Sequence, residues 1–351
     1  MSLSPAEIAE WAGVLAAARR DRVGCDPISS SIDLTIDDAY AIQRVGAALR
    51  VERGEKLVGW KLGYTSMAMR AQMGIHQPNF GPLTDAMLVA HDGAAGPSLI
   101  QPRVEPEIGL RFDHSLPADA NLDEVLGAVG EAFACLEIVD SVYPDYRFRL
   151  EDNTADGSSA AQVVIGPVLR RIEHLDDISV VLLHNGVECG SATGRAASGH
   201  PAAGVVWLVR QLAKQGRHIE AGHIVITGGL TRAVPLDIGD HVEAVFDDET
   251  RVALHRPPLP IPRHRHDTYV RQSPSAHAMP CGLPPAGRTR GLRGLVGLGL
   301  TVVGLPLEGW DVAEAGVQSS GVVSVDPGED RPPCLCLGPE PVAMDELAFQ
   351  R

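Results

Sequence analysis

The pattern of apolar and polar positions changes near residue 256 of the 351-residue chain. Before that point, segments with helical or strand periodicity alternate and are separated by glycine-, proline- and asparagine-containing turns. After it, proline, arginine and glycine are frequent and no regular period is sustained. The pattern therefore predicts a folded domain over residues 1–255 and a disordered Pro/Arg/Gly-rich tail over residues 256–351.

Helical signals dominate the predicted N-terminal part, residues 1–75. The tetrapeptide SPAE at residues 4–7 combines a capping box with proline at the first helical position. Thr35 predicts the start of a second helix, which ends at Gly54, and a short third helix is predicted over 67–73. These signals predict that the chain opens with helices that flank a larger sheet.

Strand signals dominate residues 76–255. Strands are predicted in MLVA, PRVEPEIGLRF, QVVIGPVL, SVVLLHNGVE, HIVITGG and HVEAVFDDETRVALH, and one more in KLVGWKLGYTS at residues 56–66 of the N-terminal part. LDEVLGAVGEAFACLEIVD reads as a helix running into a strand, PAAGVVWLVRQLAKQ as a helix, and HQPNFGPLTD and DNTADGSS as loops. Many strands, long connections and few helices predict an α+β fold with a mixed, rolled sheet.

Charge and composition narrow the classes of partner. The net charge is −15 and 44% of residues are hydrophobic, so a sizeable core is predicted and no basic surface for nucleic acid. No signal peptide or membrane-length apolar run is found, and the six cysteines show no metal-binding spacing. We expect a cytoplasmic protein with no membrane or nucleic-acid partner, in which an anionic substrate needs a local positive centre.

The first candidate site is a pair of glutamates in the strand PRVEPEIGLRF. Side chains two apart on a strand share a face, so Glu105 and Glu107 point the same way. Pro106 between them cannot donate to a sheet ladder, which suggests a sheet edge or a bulge. A cation between the two carboxylates would relieve their repulsion. Taken alone, this motif favours the plainer interpretation, a solvent-facing acidic stripe on an edge strand.

Glu137 shifts the interpretation toward a metal site. It stands in the apolar run ACLEIV, where a charge should not be buried without a partner. If Glu137 converges on Glu105 and Glu107, the three carboxylates form an oxygen-rich site suited to Mg²⁺ or Mn²⁺. The sequence itself does not show that convergence.

Four other residues each have a possible functional role and a plainer structural one. Lys61, between apolar strand neighbours, is a desolvated acid–base group, an anchor for a carboxylate or, more plainly, a surface lysine. Asp156 in TADGSS could orient water or the lysine, or could serve the Asp-Gly turn. Gly228 and Gly229 could let backbone amides approach a substrate carboxylate, or could simply form a turn.

Taken in order, these segments resemble the hydratase/decarboxylase branch of the fumarylacetoacetate hydrolase superfamily. The resemblance covers about residues 5–255, and the tail lies outside it. It is carried by DAYAIQ, GWKLGYTS, QMGIHQPNFGPL, PRVEPEI, LEIVDS, TADGSS, GHPAAGVVWL and TGGLTRAVP. Eight motifs in the family's order are specific for this branch.

The resemblance implies a fold, a metal and an assembly. It implies a mixed β-roll with flanking helices, Mg²⁺ or Mn²⁺, and a homo-oligomer, often built from pentamers. Carried over by position, the family's metal ligands fall on Glu105, Glu107 and Glu137. Its reacting groups fall on Lys61, Asp156 and Ser159.

Two positions depart from the family pattern. Asn79 stands where hydratases commonly have an aspartate, and we expect it to contact the substrate together with Gly228 and Gly229. Gly157 replaces an asparagine in the loop. Both departures affect the expected reaction more than the expected metal site.

The resemblance implies hydration of a 2-hydroxyalka-2,4-dienoate to a 4-hydroxy-2-oxoalkanoate in aromatic or related catabolism. Decarboxylation of a 2-oxo-hex-3-enedioate of the 4-oxalocrotonate type is the alternative, because it needs the same electron sink. A non-catalytic scaffold that associates with a homologous pathway enzyme is a further alternative, favoured by the substitutions at Asn79 and Gly157. The sequence leaves these three functions open.

Overall fold

The computed structural model describes residues 2–67, 70, 75–170, 172–247 and 249–258. Its α-helices are α1 (Pro5–Asp21), α2 (Ile36–Glu52), α3 (Leu122–Ala128), α4 (Leu150–Ala155) and α5 (Pro201–Lys214). The predicted tail, residues 256–351, lies outside the described residues except for residues 256–258. Most of the predicted helix 67–73 also lies outside them.

The strands form two mixed sheets. They are β1 (Leu57–Gly63), β2 (Asn79–Thr84), β3 (Leu88–Ala90), β4 (Gly93–Ala94), β5 (Arg103–Phe112), β6 (Val129–Val139), β7 (Ala160–Val168), β8 (Ser179–His184), β9 (Val187–Thr193), β10 (Ile224–Ile226), β11 (Val234–Pro235), β12 (His241–Phe246) and β13 (Thr250–His255). The eight-stranded sheet has the order β2-β1-β10-β5-β6-β7-β3, with β11 also paired to β5, and the five-stranded sheet has the order β4-β13-β12-β8-β9. The mixed sheets and flanking helices confirm the α+β class, while the specific roll stays a prediction.

The first two helices begin where the sequence predicts. Ser4 and Glu7 form a reciprocal capping box at the start of α1, and the Thr35 side chain accepts a hydrogen bond from the Asp38 amide at the start of α2. The apolar faces of α1 and α2 pack in a separate small core in which Leu15 and Ile42 are joined by Tyr143 and Ala155. These two helices belong to the predicted N-terminal part, whereas β1 of the same part pairs with β10 inside the larger sheet.

Two segments predicted to be loops are regular structure, which corrects the prediction. Asn79–Thr84 forms β2, an edge strand paired with β1, where Pro82 is tolerated because an edge strand needs fewer amide donors. Leu150–Ala155 forms the short helix α4, which takes in the first half of the DNTADGSS segment. Tertiary packing overrides the turn-forming residues in both cases.

The larger core lies on one face of the eight-stranded sheet. Fully buried apolar side chains of β5 and β6, including Ile108 and Leu136, pack there with Phe246 of β12 and with α5. Among the described residues, no helix combines the length and the apolar character needed to cross a bilayer. The opposite face of β5 and β6 carries the polar residues described next.

Candidate metal centre

The antiparallel pairing of β5 with β6 brings the three glutamates together. Glu105 lies directly opposite Glu137, and Glu107 lies opposite Cys135, two residues along from Glu137. Residues two apart share a face of a strand, so all three carboxylates project from one side of the sheet. One carboxylate oxygen from each lies within 4.8 Å of the other two. The structure thus shows the convergence that the sequence left open.

Pro106 lies inside the sheet, neither at an edge strand nor at a bulge, which corrects that expectation. Its carbonyl accepts a hydrogen bond from the Leu230 amide at 2.9 Å, so its backbone faces the segment that joins β10 to β11. The neighbouring strand is interrupted between Ile226 and Val234. The missing amide donor of Pro106 therefore falls at a break in the ladder.

Burial makes the cluster electrostatically demanding. Glu107 and Glu137 are fully buried, and Glu105 is partly exposed. Burial, and next the charge of Glu137, raise the pKa of Glu105 to about 7 and raise the pKa of Glu107 well above its ordinary value. Glu107 Oε1 and Glu137 Oε1 have no hydrogen-bond partner within the described part of the chain. Buried acceptors in this state are costly unless a cation joins them.

Lys61 of β1 is the buried cation beside the cluster. Its Nζ lies 3.0 Å from Glu137 Oε2 and donates to the Ser158 carbonyl at 3.0 Å. Burial alone would lower the pKa of Lys61, but attraction to Glu137, Glu105 and Glu107 outweighs burial and raises it. Lys61 is therefore held as an ammonium group next to the carboxylates and is not a surface lysine.

Gly228 and Gly229 pack against the glutamates. The Gly228 amide donates to Glu107 Oε2 at 2.7 Å. A Cβ added at Gly229 would overlap the Glu105 carboxylate, so the backbone approaches that side chain closely. The Gly228 amide thus holds Glu107, a candidate metal ligand, while the expected substrate contacts of Gly228 and Gly229 stay a prediction.

Asn79 lies behind the site in a buried amide–hydroxyl network. It is fully buried, its Nδ2 donates to Asn153 Oδ1 at 2.9 Å, and its Oδ1 accepts from Ser158 Oγ at 2.9 Å. Asn153 in turn donates to Ser159 Oγ at 2.8 Å. Asn79 therefore reaches the site through Ser158 and Asn153.

The turn between α4 and β7 holds an uncommon backbone conformation. Gly157, Ser158 and Ser159 all have φ between 55° and 70°. Non-glycine residues in this left-handed region carry strain that surrounding contacts must hold in place. The strained turn presents the Ser158 carbonyl to Lys61, so the turn helps to position Lys61 in the site.

Asp156 points away from Lys61. Its side chain is 1% exposed, and its Oδ1 lies 2.7 Å from Nη2 of Arg19 in α1. Its Oδ2 accepts a hydrogen bond from the Val142 amide. Burial is the main cause that raises the pKa of Asp156 to about 6, although Arg19 opposes it. The structure thus places Asp156 under the strained turn, while Lys61 contacts Glu137 and Ser159 lines the same cavity as Glu105.

A cavity of about 590 Å³ opens beside the cluster. Lys61, Glu105, Ser158, Ser159 and Gly229 line one part of it. Residues that the sequence interpretation missed line the rest, among them Arg103, Tyr146, Phe148 and Leu230. Only Arg103 had a readable signal, since it stands two residues before Glu105 on the same strand face.

The donor set fits a hard divalent cation. Mg²⁺ binds oxygen at about 2.1 Å, so oxygens on opposite sides of the ion lie about 4.2 Å apart. One oxygen of each carboxylate lies within 4.8 Å of the other two, which is near that spacing, and Glu107 and Glu137 each carry a buried oxygen without a hydrogen-bond partner among the described residues. A bound cation would also relieve the repulsion that raises the pKa values of Glu105 and Glu107. Glu105, Glu107 and Glu137 are therefore suited to hold Mg²⁺ or Mn²⁺.

The chain is similar to several curated enzymes, and each match spans most of the length of that enzyme. The chain is 36% identical over 227 residues to 2-hydroxyhexa-2,4-dienoate hydratase of Comamonas testosteroni, a match that covers 61% of this chain and 84% of that protein. It is 36% identical over 214 residues to 4-oxalocrotonate decarboxylase of Pseudomonas sp. CF600, covering 60% and 81%. It is 40% identical over 197 residues to 2-keto-4-pentenoate hydratase of Paraburkholderia phymatum, covering 55% and 75%. No protein-family model matches the chain.

A solved structure shares the fold. 4-Oxalocrotonate decarboxylase from Pseudomonas putida G7, complexed with magnesium and adipate, superposes with a TM-score of 0.70 at 30% identity. The match covers 73% of this chain and 99% of that one. The similar proteins include both hydratases and decarboxylases, so these comparisons do not distinguish the two activities.

Proposed function

This chain belongs to the hydratase/decarboxylase branch of the fumarylacetoacetate hydrolase superfamily, and on that premise we propose that it is a metal-dependent lyase that hydrates a 2-hydroxyalka-2,4-dienoate. The observation that carries the proposal is the convergence of three buried carboxylates beside the buried Lys61 ammonium group. Such a centre can bind a hard cation and can hold a proton next to a substrate in the adjoining cavity.

The proposed metal ligands are Glu105, Glu107 and Glu137, and the proposed ion is Mg²⁺ or Mn²⁺. When bound, the ion supplies positive charge that stabilises negative charge developing on the 2-oxygen of the substrate. The Gly228 amide keeps Glu107 oriented toward the centre, and the close approach of Gly229 does the same for Glu105. The net charge of −15 makes a local positive centre necessary for an anionic substrate.

Lys61 is the proposed proton-transfer residue. Ketonisation of the dienol moves its hydroxyl proton to the fifth carbon and leaves a double bond between the third and fourth carbons, conjugated with the new keto group. Water then adds its hydroxyl to the electrophilic fourth carbon and a proton to the third carbon. Lys61 holds a proton at Nζ, is fixed by Glu137 and the Ser158 carbonyl, and lines the cavity where that carbon would lie. Ser159 also lines the cavity and its Oγ accepts from Asn153, so it can orient the attacking water.

Asp156 and Asn79 are proposed as positioning residues. Asp156 supports the strained turn from the side opposite the cavity, through Arg19 and Val142. Asn79 supports it through Ser158 Oγ. Neither side chain is placed to contact the substrate directly, so their effect on the reaction passes through Ser158, Ser159 and Lys61.

Decarboxylation of a 2-oxo-hex-3-enedioate is the second candidate. It needs the same stabilisation of charge on the 2-oxygen, and both 4-oxalocrotonate decarboxylase of Pseudomonas sp. CF600 and the solved relative from P. putida G7 carry that activity in their names. From the family resemblance we also propose a homo-oligomer built from pentamers, which light scattering of the purified chain would test.

The decisive assay supplies purified full-length protein with freshly prepared 2-hydroxypenta-2,4-dienoate and, separately, with 4-oxalocrotonate. Loss of the dienol absorbance identifies a hydratase, and release of CO₂ identifies a decarboxylase. Either activity should disappear with EDTA and in Glu107→Gln, and return to the wild-type protein on addition of Mn²⁺. Activity that survives both changes would refute the proposed site, and tight Mn²⁺ binding without either reaction would identify a scaffold.

A further inference from the structure

A chain of buried hydrogen bonds ends at the Ser159 hydroxyl, in the cavity beside the candidate metal centre. It starts at the Leu150 carbonyl and runs through the side chains of Thr154, Asn79 and Asn153. These three side chains and Ser159 are each at most 3% exposed. Buried polar atoms of this kind need partners of the right type, so the direction in which each bond donates can be worked out.

The direction follows from the Leu150 carbonyl, which can only accept. The Thr154 hydroxyl donates to it at 2.8 Å, which leaves Thr154 Oγ1 as an acceptor for Asn79 Nδ2 at 3.0 Å. The same Nδ2 donates to Asn153 Oδ1 at 2.9 Å. Because the oxygen of Asn153 is used in this way, its Nδ2 faces the other side and donates to Ser159 Oγ at 2.8 Å.

Both ends of the Asn79 amide are used. Its Nδ2 supplies two hydrogen bonds, and its Oδ1 accepts one from the Ser158 hydroxyl at 2.9 Å. An aspartate has nearly the same shape, but its ionised carboxylate can only accept. Asn79 is therefore the residue that sets which way the Asn153 amide is turned.

Ser159 receives a hydrogen bond and keeps its own proton. Its hydroxyl forms no donated hydrogen bond within the described part of the chain, and the side chain lines the same cavity as Lys61 and Glu105. The left-handed backbone of the turn, with φ of 55° at Ser159, holds it there. The free proton can be given to an oxygen in the cavity, and an anionic oxygen forms the strongest such bond.

We propose that Asn79 makes the Ser159 hydroxyl a one-way hydrogen-bond donor to an anionic oxygen of the 2-oxo acid group of the substrate. The proposal rests on the function proposed above, because it takes that group to lie at the candidate metal centre. Asn79 is a positioning residue that acts through Asn153. With a carboxylate at position 79, Asn153 would turn its Nδ2 toward that carboxylate and its Oδ1 toward Ser159. Ser159 would then donate to Asn153 and present lone pairs, which repel an anionic oxygen.

Binding of 2-oxopentanoate to Mn²⁺-loaded full-length protein tests the proposal, because this ligand has only acceptor oxygens and no double bond to hydrate. In titration calorimetry we expect it to bind about tenfold or more weakly to Ser159→Ala, as for loss of a hydrogen bond to a charged acceptor. Asn79→Asp should lose a similar factor. The double variant Asn79→Asp/Ser159→Ala should lose no more than either single variant, and all three should bind Mn²⁺ as the wild type does.

Asn153→Asp reverses the same hydroxyl by a second route, because a carboxylate there accepts from both Asn79 and Ser159. It should reproduce the loss, and it decides the outcome if Asn79→Asp does not fold. Asn121→Asp is the matched control. Asn121 Oδ1 accepts from the Glu124 amide at the start of α3, a role that aspartate fills equally well, so this variant should bind 2-oxopentanoate normally.

Wild-type affinity for 2-oxopentanoate in Ser159→Ala, or in Asn79→Asp and Asn153→Asp, would overturn the proposal and leave the metal site standing. Additive losses in the double variant would also overturn it, because Asn79 would then act independently of Ser159. If 2-oxopentanoate does not bind to the Mn²⁺-loaded wild type, the proposed function falls and the role of Ser159 falls with it.

Discussion

Arg19 and Asp156 form an ion pair that joins helix α1 to the strained turn of the site, with Nη2 2.7 Å from Oδ1. The same guanidinium donates to the backbone carbonyls of Asp140 and Asp156. Asp140 follows directly on β6, the strand that carries Glu137, and Asp156 precedes the turn that holds Lys61. One residue of the N-terminal helix thus ties together the two backbone segments on which the candidate metal centre depends.

Replacing Arg19 with methionine should destabilise the protein more at high pH than at low pH. The pKa of Asp156 is about 6 in the folded protein against an ordinary value of 3.8. A raised folded pKa means that the stabilising contribution is full below pH 3.8 and is lost as pH rises through 6. Without Arg19 that pKa rises further, so we expect a loss of about 3 kcal/mol at pH 8 and a much smaller loss at pH 5. Urea unfolding at both pH values measures the difference.

The double variant Arg19→Met/Asp156→Asn is the control for this prediction. It removes the buried charge together with its partner, so most of the pH-dependent loss should disappear. Activity of the double variant should also exceed that of Arg19→Met at pH 8, because the turn no longer holds an unpaired carboxylate. An identical loss of stability for Arg19→Met at pH 5 and pH 8 would show that the ion pair does not control the turn.

Lys61 should be needed for turnover and not for metal binding. Lys61→Met removes the only described ammonium group that contacts the glutamate cluster, and we expect kcat to fall by about 10²- to 10⁴-fold, the range for loss of a proton-transfer group. Mn²⁺ affinity should change by much less, because the three carboxylates remain. Lys61→Arg keeps the charge but cannot readily release a proton, so it should bind metal normally and remain slow. Wild-type kcat in either variant would eliminate Lys61 from the reaction.

Much of the site could be predicted from sequence because it depends on local geometry. The alternation of Glu105 and Glu107 around Pro106 puts both carboxylates on one face of any strand. The apolar neighbours of Glu137 indicate that its charge is buried, and burial calls for a partner. The capping signals at Ser4 and Thr35 act within one helical turn, so they are also readable without tertiary information.

The remaining features depend on contacts between distant segments. The direction of Asp156 is set by the docking of Arg19, which is 137 positions away in the chain, and no local pattern indicates that contact. The proline and glycine of NFGPLT favour a loop, yet the segment becomes β2 because β1 offers it a partner. Tyr146 enters the cavity by way of a left-handed backbone conformation that its sequence does not signal.

Bound metal should stabilise the folded protein through Glu107. At a Mn²⁺ concentration of about 100 times Kd, linkage gives a gain of about 2.7 kcal/mol, which corresponds to several degrees in Tm. Glu107→Gln should lose most of that shift in a thermal unfolding experiment with and without Mn²⁺. Glu131→Gln is the matched control, since Glu131 lies on β6 but is exposed and pairs with Arg111. An equal Mn²⁺ shift in Glu107→Gln and wild type would place the bound ion elsewhere.

Gly229 should be needed for metal binding, because its lack of a side chain leaves room for the Glu105 carboxylate. A Cβ at this position would overlap the Glu105 carboxylate, so Gly229→Ala must push a proposed metal ligand away from the cluster. We expect Mn²⁺ affinity, measured by calorimetry, to fall by about 10- to 100-fold, as when a group that orients a ligand is disturbed. Gly127→Ala in α3 is the control, because a Cβ there meets nothing within 4 Å and alanine favours a helix. It should leave Mn²⁺ binding unchanged and the fold as stable or slightly more so. If Gly229→Ala binds Mn²⁺ as tightly as Gly127→Ala does, Glu105 can move without cost, and its carboxylate is not a ligand that the backbone holds in place.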